Sequence, residues 1–140
     1  MKPFEYFLSN HEVKKCSKNP VLAKSLIKDM KIRLSENWNE DEKKKPKTIF
    51  ESMYDSIQDF CNSLLALEGL KSYSHEASIV YLMNKGFDIA LIQKMDNFRY
   101  MRNGSKYYGR IISSEDAKNI KEFYSQIKSK IDKLIKENNL

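Results

Sequence analysis

The sequence predicts an all-α fold, an up-and-down bundle of about five helices in one domain spanning residues 1–140. Two observations favour it. Only four Gly and three Pro occur in 140 residues, and 41% hydrophobic with 31% charged residues is a globular composition. Apolar residues also recur at steps of three and four along most of the chain, which is the spacing of amphipathic helices. No stretch is apolar enough for a membrane span and the start does not resemble a secretion signal, so we expect a cytoplasmic protein with no membrane partner.

The N-terminal third is predicted to contain an extension, one helix and one loop. Residues 1–18 form the extension, in which a short helix is followed by a basic linker. Asn19 is suited to cap a helix whose first residue is Pro20 and which runs to about Trp38. Residues 39–47 are almost wholly charged, and this composition is typical of a solvated loop.

Four more helices are predicted after this loop. The longest opens at a capping box formed by Thr48 and Glu51 and covers roughly residues 49–70. Its apolar face is wide, which indicates a central position in the bundle. Side chains suited to helix capping begin the next three helices: Ser74, Asp88 and the capping box Ser113-x-x-Asp116.

Few residues suggest catalysis or metal binding. His11 and His75 lie far apart in the sequence, and Cys16 and Cys61 belong to no motif with the spacing of metal ligands. The glycines form neither a phosphate-binding loop nor a dinucleotide-binding turn. We therefore predict no metal site and no cofactor, and the catalytic residues, if any, are unknown at this point.

The segment from Arg99 to Arg110 has four cationic residues and no acidic one. Guanidinium groups bind phosphate in a fixed geometry and aromatic rings stack on bases, so the segment suits a nucleotide or RNA site. The alternative is a helix C-terminus whose cations complement the helix dipole and whose tyrosines pack in the core. A helix would place Arg99, Arg102 and Lys106 on one face. The candidate binding residues are Arg99, Arg102, Asn103, Lys106, Tyr107 and Tyr108.

The run RNGSKYYG at residues 102–109 resembles the signature of HEPN domains. In that family an Arg-Asn pair near the end of a long helix is followed within a few residues by His, or by Tyr in degenerate branches. The run LLALEGLKSYSHEA at residues 64–77 also resembles a prokaryotic HEPN branch with an RNxxxYYG ending. The resemblance covers roughly residues 20–135.

The resemblance implies a small helical bundle that forms homodimers, in which the two Arg-Asn motifs meet at a cleft along the interface. Many members are metal-independent RNases and act as toxins of toxin–antitoxin pairs, with a minimal nucleotidyltransferase as a common partner. Other members bind nucleotides or are inactive. Arg102 and Asn103 match the motif pair, and the catalytic His falls at Tyr107. Tyrosine has an ordinary pKa of about 10 and is a poor base at pH 7, so the resemblance implies degenerate catalysis.

Three hypotheses remain open from the sequence. The leading one is a dimer that binds a nucleotide or RNA through residues 102–108 with weak or no catalysis. The second is a metal-independent endoribonuclease that uses an unusual base, either Tyr107 or His75 brought in by the fold. The third is a non-catalytic protein-interaction module, in which the tyrosines belong to the core and the arginines orient the dimer.

Overall fold

The computed structural model describes all 140 residues and has the predicted all-α bundle architecture. Besides the helices it contains one small antiparallel sheet with the strands β1 (Val13–Lys15) and β2 (Leu70–Ser72). A 3-10 turn, Leu82–Lys85, continues the fourth helix and ends at Gly86. The helices are α1 (Phe4–Ser9), α2 (Pro20–Asn37), α3 (Pro46–Glu68), α4 (His75–Tyr81), α5 (Ile89–Tyr107) and α6 (Ser114–Glu137).

Helix α3 occupies the centre of the bundle, as its wide apolar face predicts. It packs against α2, α4, α5, α6 and β2. The amide of Asn19 donates a hydrogen bond to the carbonyl of Ala66 at 2.8 Å, so the start of α2 lies beside the end of α3 and the two helices are antiparallel. One hydrophobic cluster joins buried side chains from Phe4 to Ile135. No helix combines the length and the apolar composition that a membrane span requires.

Most helix starts form the predicted caps. Asn19, Ser74 and Asp88 each accept a hydrogen bond from a backbone amide three residues later. Ser113 and Asp116 make both bonds of a capping box, at 3.0 and 2.9 Å.

The predicted start of α3 was wrong. The helix begins at Pro46, because proline presets the backbone angle of a first helical position, and Lys45 takes the cap position. Thr48 therefore lies inside the first turn and forms no capping box, and the charged loop ends at Lys45. With 24 residues, α6 is also one residue longer than α3, which has 23 and was predicted to be the longest.

The basic linker predicted before α2 contains a strand instead. Strand β1 pairs with β2 so that Lys14 lies opposite Lys71. Gly69 makes this pairing possible, since it ends α3 with a φ of 72° and a Cβ there would lie 2.7 Å from the carbonyl oxygen of Cys16. Phe4, Phe7 and Val13 are buried, so the first residues pack against the bundle rather than lying free of it.

Candidate functional site

Helix α5 and its C-terminal cap residue, Tyr108, carry the candidate binding residues, which fall into two groups. The helix continues to Tyr107, so Arg99, Arg102 and Lys106 share one face, as predicted. We call Arg99 and Arg102 the inner half of the segment, because they contact α3 and α4. We call Lys106, Tyr107 and Tyr108 the outer half. Asn103 lies between them and is half-buried.

Arg102 is directed inward against α3. Only 14% of its side chain is exposed, its guanidinium carbon lies 5.6 Å from the ring centroid of Tyr54, and a terminal nitrogen lies 3.8 Å from a carboxylate oxygen of Asp55. That last distance is too long for a hydrogen bond. The buried Nε also has no hydrogen-bond partner. The guanidinium is therefore held in place by packing and charge. Its Nε is closed off from solvent, so the terminal nitrogens are the donors that could bind an anion.

His75, at the start of α4, lies against the same tyrosine. Its Nδ1 is 3.0 Å from the Tyr54 hydroxyl, and the amide nitrogen of Gln58 is 3.1 Å from that hydroxyl and 3.3 Å from the carbonyl oxygen of His75. The Gln58 amide can donate to both oxygens, which leaves the Tyr54 hydroxyl to donate to Nδ1. The neutral imidazole then carries its proton on Nε2. We call Tyr54, Asp55, Gln58, His75 and Arg102 the Arg102 cluster.

Charges around His75 favour the neutral ring. Its pKa lies below the ordinary value of 6.5, first because burial disfavours the charged form and then because Arg102 repels it. Asp55 opposes this lowering, whereas Arg99 and Lys106 add to it. The positive charges of Arg99, Arg102 and Lys106 therefore all disfavour protonation of His75, and its imidazole stays uncharged. Burial likewise raises the pKa of the Tyr54 hydroxyl, which stays protonated as a donor.

Arg99 is more fully neutralised than Arg102. Its Nε donates to Asp96 at 2.7 Å, and a terminal nitrogen lies 4.0 Å from Glu76. Two carboxylates therefore fix this guanidinium at the α4–α5 contact. Of the two arginines in the inner half, Arg102 is the one whose guanidinium makes no hydrogen bond within the protein.

The outer half of the segment is exposed to solvent. Tyr107 is 63% exposed and Tyr108 is 84% exposed. The ammonium of Lys106 lies 5.6 Å from the ring centroid of Tyr107. The alternative interpretation of these tyrosines as core residues is wrong, because the helix ends at Tyr107 and no element covers this face. Both rings are accessible for stacking.

Sequence reasoning missed the part of the cluster that comes from α3. Tyr54 belongs to the apolar stripe predicted for that helix, and Asp55 and Gln58 belong to no recognisable motif. Nothing in the sequence alone indicates that these side chains meet α5. His75 was considered only as an alternative base, and the fold places it beside the Tyr54 hydroxyl.

Comparisons with known proteins do not assign the chain to a family. No protein-family model, no curated protein and no solved structure matches it. The HEPN resemblance therefore stays a prediction from the motif residues, and function must be inferred from the chemistry of the Arg102 cluster and the exposed tyrosines.

Proposed function

We propose that this protein is a HEPN-type helical domain that binds a nucleotide or RNA through residues 102–108, with weak or no catalysis. The observation that carries the proposal is the guanidinium of Arg102, which is packed against Tyr54 yet makes no hydrogen bond within the protein. A fixed guanidinium with free donors is suited to bind a phosphate group.

The Arg102 cluster has the charge and the donors for a phosphate. The Nε2–H of His75 would add a neutral donor to those of Arg102, and Lys106 and Arg99 contribute further positive charge near His75. The carboxylate of Asp55 lies 3.8 Å from Arg102 and would compete with the ligand for it. Phosphate binding would thus require Arg102 to exchange part of its attraction to Asp55 for shorter, charge-assisted hydrogen bonds.

The exposed outer half would contact the bases. Tyr107 and Tyr108 present accessible rings, and stacking on such rings tolerates any base. Lys106 lies beside them, and the half-buried Asn103 supplies an amide between the two halves. This arrangement supports binding without strong sequence preference.

The resemblance also motivates partners for this proposal. We propose a homodimer in which two copies of the Arg-Asn motif line one cleft, and a minimal nucleotidyltransferase as partner in a toxin–antitoxin pair. The exposed Ile111, four residues beyond the end of α5, supplies apolar area for a subunit contact that leaves both tyrosine rings accessible.

The position of His75 favours a second candidate, a metal-independent endoribonuclease. The imidazole would accept the proton of a ribose 2′-hydroxyl as its oxygen attacks the adjacent phosphorus. The bond to the 5′-oxygen would break, that oxygen would take a proton from solvent, and the products would be a 2′,3′-cyclic phosphate and a 5′-hydroxyl. For Nε2 to act as this base, the proton of the neutral imidazole must lie on Nδ1 and be donated to the Tyr54 hydroxyl. The hydrogen bond from Gln58 favours the opposite arrangement, in which the Tyr54 hydroxyl donates to Nδ1. Cleavage is therefore expected to be slow.

Binding can be tested with two variants that act in opposite directions. Fluorescence anisotropy would measure the affinity of a labelled nucleotide and a labelled RNA for the wild type, Arg102→Ala and Asp55→Asn. Arg102→Ala should weaken binding by roughly 10- to 100-fold, the range for hydrogen bonds to a charged group. Asp55→Asn should strengthen binding, because it removes the competing carboxylate. Lys24→Ala, on the exposed face of α2, is the control for loss of one positive charge.

The outcomes separate the hypotheses. Equal affinity of wild type and Arg102→Ala would contradict the proposed site, and no binding by the wild type would favour a protein-interaction module. The same RNA incubated in EDTA and examined on a gel tests the second candidate. Cleavage that His75→Gln abolishes would support it, whereas cleavage unchanged by that variant would exclude His75 as the base.

A further inference from the structure

A second basic and aromatic surface lies on the two-stranded sheet. The register places Lys14 directly opposite Lys71. Both ammonium groups lie near the ring centroid of Tyr73, at 5.5 and 5.4 Å, and this ring is 62% exposed. We call Lys14, Lys71 and Tyr73 the strand patch.

The charges of the strand patch have no counterion in the protein. Like charges directly opposite on paired strands repel each other. Neither lysine forms an ion pair with a carboxylate. Glu12 is the nearest acidic residue by register, since its backbone carbonyl accepts a hydrogen bond from the amide of Tyr73. Its carboxylate accepts a hydrogen bond from the side-chain amide of Asn10 at 3.0 Å and pairs with neither lysine. An anion between the two lysines would relieve their repulsion.

The strand patch adjoins the Arg102 cluster. Tyr73 follows β2 directly, and His75 begins α4 only two residues later. Two residues of chain span at most about 7 Å, so the two surfaces lie on either side of the junction between β2 and α4. One extended nucleic-acid strand could contact both.

We propose that the strand patch is a second binding site for single-stranded RNA, in which Lys14 and Lys71 hold a backbone phosphate and Tyr73 stacks on a base. The inference rests on the proposed function and narrows its ligand from a nucleotide or RNA to an RNA strand of several nucleotides. In the proposed binding mode a mononucleotide places its phosphate at the Arg102 cluster and its base on Tyr107 or Tyr108, so it uses none of the strand-patch residues, whereas a longer strand could occupy both sites.

The test compares ligands of different length. Fluorescence anisotropy would measure binding of labelled adenosine monophosphate and of a labelled oligoadenylate of about eight nucleotides. The variants are Lys14→Gln with Lys71→Gln, Tyr73→Leu, and the control Lys24→Gln with Lys28→Gln, which removes the same charge from the exposed face of α2. Circular dichroism checks folding, and the Lys14/Lys71 variant should melt at the same or a higher temperature because a repulsion is removed.

We expect the Lys14/Lys71 variant to bind the oligoadenylate about 10-fold more weakly and the monophosphate unchanged. The logarithm of the oligoadenylate binding constant falls linearly with the logarithm of the salt concentration. For the variant this slope should be shallower by about 0.7 for each phosphate that it no longer neutralises. Tyr73→Leu should weaken only oligoadenylate binding. An oligoadenylate affinity equal to that of the wild type, or lowered no more than in the control, would overturn the strand patch and leave the Arg102 site intact. Failure of the wild type to bind either ligand would overturn both.

Discussion

The inner and outer halves of the α5 segment differ in how firmly the fold holds them. Arg102 is packed over Tyr54 and faces Asp55, so its position is set before any ligand arrives. Tyr107 and Tyr108 are at the helix end and contact little beyond Lys106. A single run of basic and aromatic residues is therefore divided into a preorganised group suited to phosphate and an adaptable group suited to bases.

The difference has a local structural cause. The inner half lies within a continuous helix that packs against α3 and α4, whereas the helix ends at Tyr107 and the chain reverses at Gly109, with a φ of 71°. The backbone amides of Tyr108 and Arg110 both donate to the carbonyl of Gly104, which closes the helix end without covering the tyrosines. Variants matched across the two halves can test this difference.

The largest effect on stability is expected from Tyr54→Phe. The variant removes the hydroxyl that bonds His75 and Gln58 and leaves two polar groups without that partner. The free energy of unfolding, measured by urea denaturation, should fall by about 1–3 kcal/mol. Tyr108→Phe makes the same chemical change in the exposed outer half and should alter stability by less than about 0.5 kcal/mol. Equal effects of the two variants would show that the inner half is no more fixed than the outer half.

A pH-dependent part of the stability should come from His75. Its pKa is lowered in the folded state by burial and by Arg102, so the unfolded chain binds the proton more readily. The contribution of neutral His75 is fully present above pH 6.5, the ordinary pKa, and is lost as the pH falls below it and through the folded-state pKa. Urea denaturation at a series of pH values across this range should show that the free energy of unfolding rises with pH. The slope of that rise should be smaller in His75→Gln.

The other histidine provides the matched control variant. His11 is exposed and has a φ of 61°, a conformation that asparagine tolerates, so His11→Asn removes an imidazole without disturbing the fold. A slope that survives in His75→Gln would mean that the Arg102 cluster does not disfavour the imidazolium.

The two halves also show what a sequence can and cannot reveal. Local signals identified the helices and most caps, because a cap such as Ser113 with Asp116 needs only a neighbouring residue. The start of α3 at Pro46 was missed because the sequence contains two signals for a helix start, a proline suited to the first helical position and a possible capping box at Thr48. The helix begins at the proline. Strand β1 was missed because three residues of a basic run carry no recognisable period, and its pairing depends on β2 far along the chain. The contact of Arg102 with Tyr54 joins distant residues, and no periodicity within α3 or α5 specifies it.

A smaller change in stability than that of Tyr54→Phe is expected at Gly104, in the last turns of α5. A Cβ on Gly104 would lie 3.2 Å from Cδ and 3.3 Å from Cβ of Arg110, whose exposed loop can shift by a few tenths of an ångström. Because alanine stabilises a helix interior by about 0.5–1 kcal/mol relative to glycine, Gly104→Ala should raise the free energy of unfolding by up to about 0.5 kcal/mol.

Gly109→Ala is the matched change beyond the helix. Its site is open, but the φ of 71° disfavours a side chain, so this variant should lose about 1 kcal/mol. Thermal and urea denaturation of both proteins would compare them. If Gly104→Ala lost as much stability as Gly109→Ala, Arg110 would be held rigidly against α5. The outer half would then be part of the fixed structure, and its tyrosines could not adapt to different bases as the proposed binding mode requires.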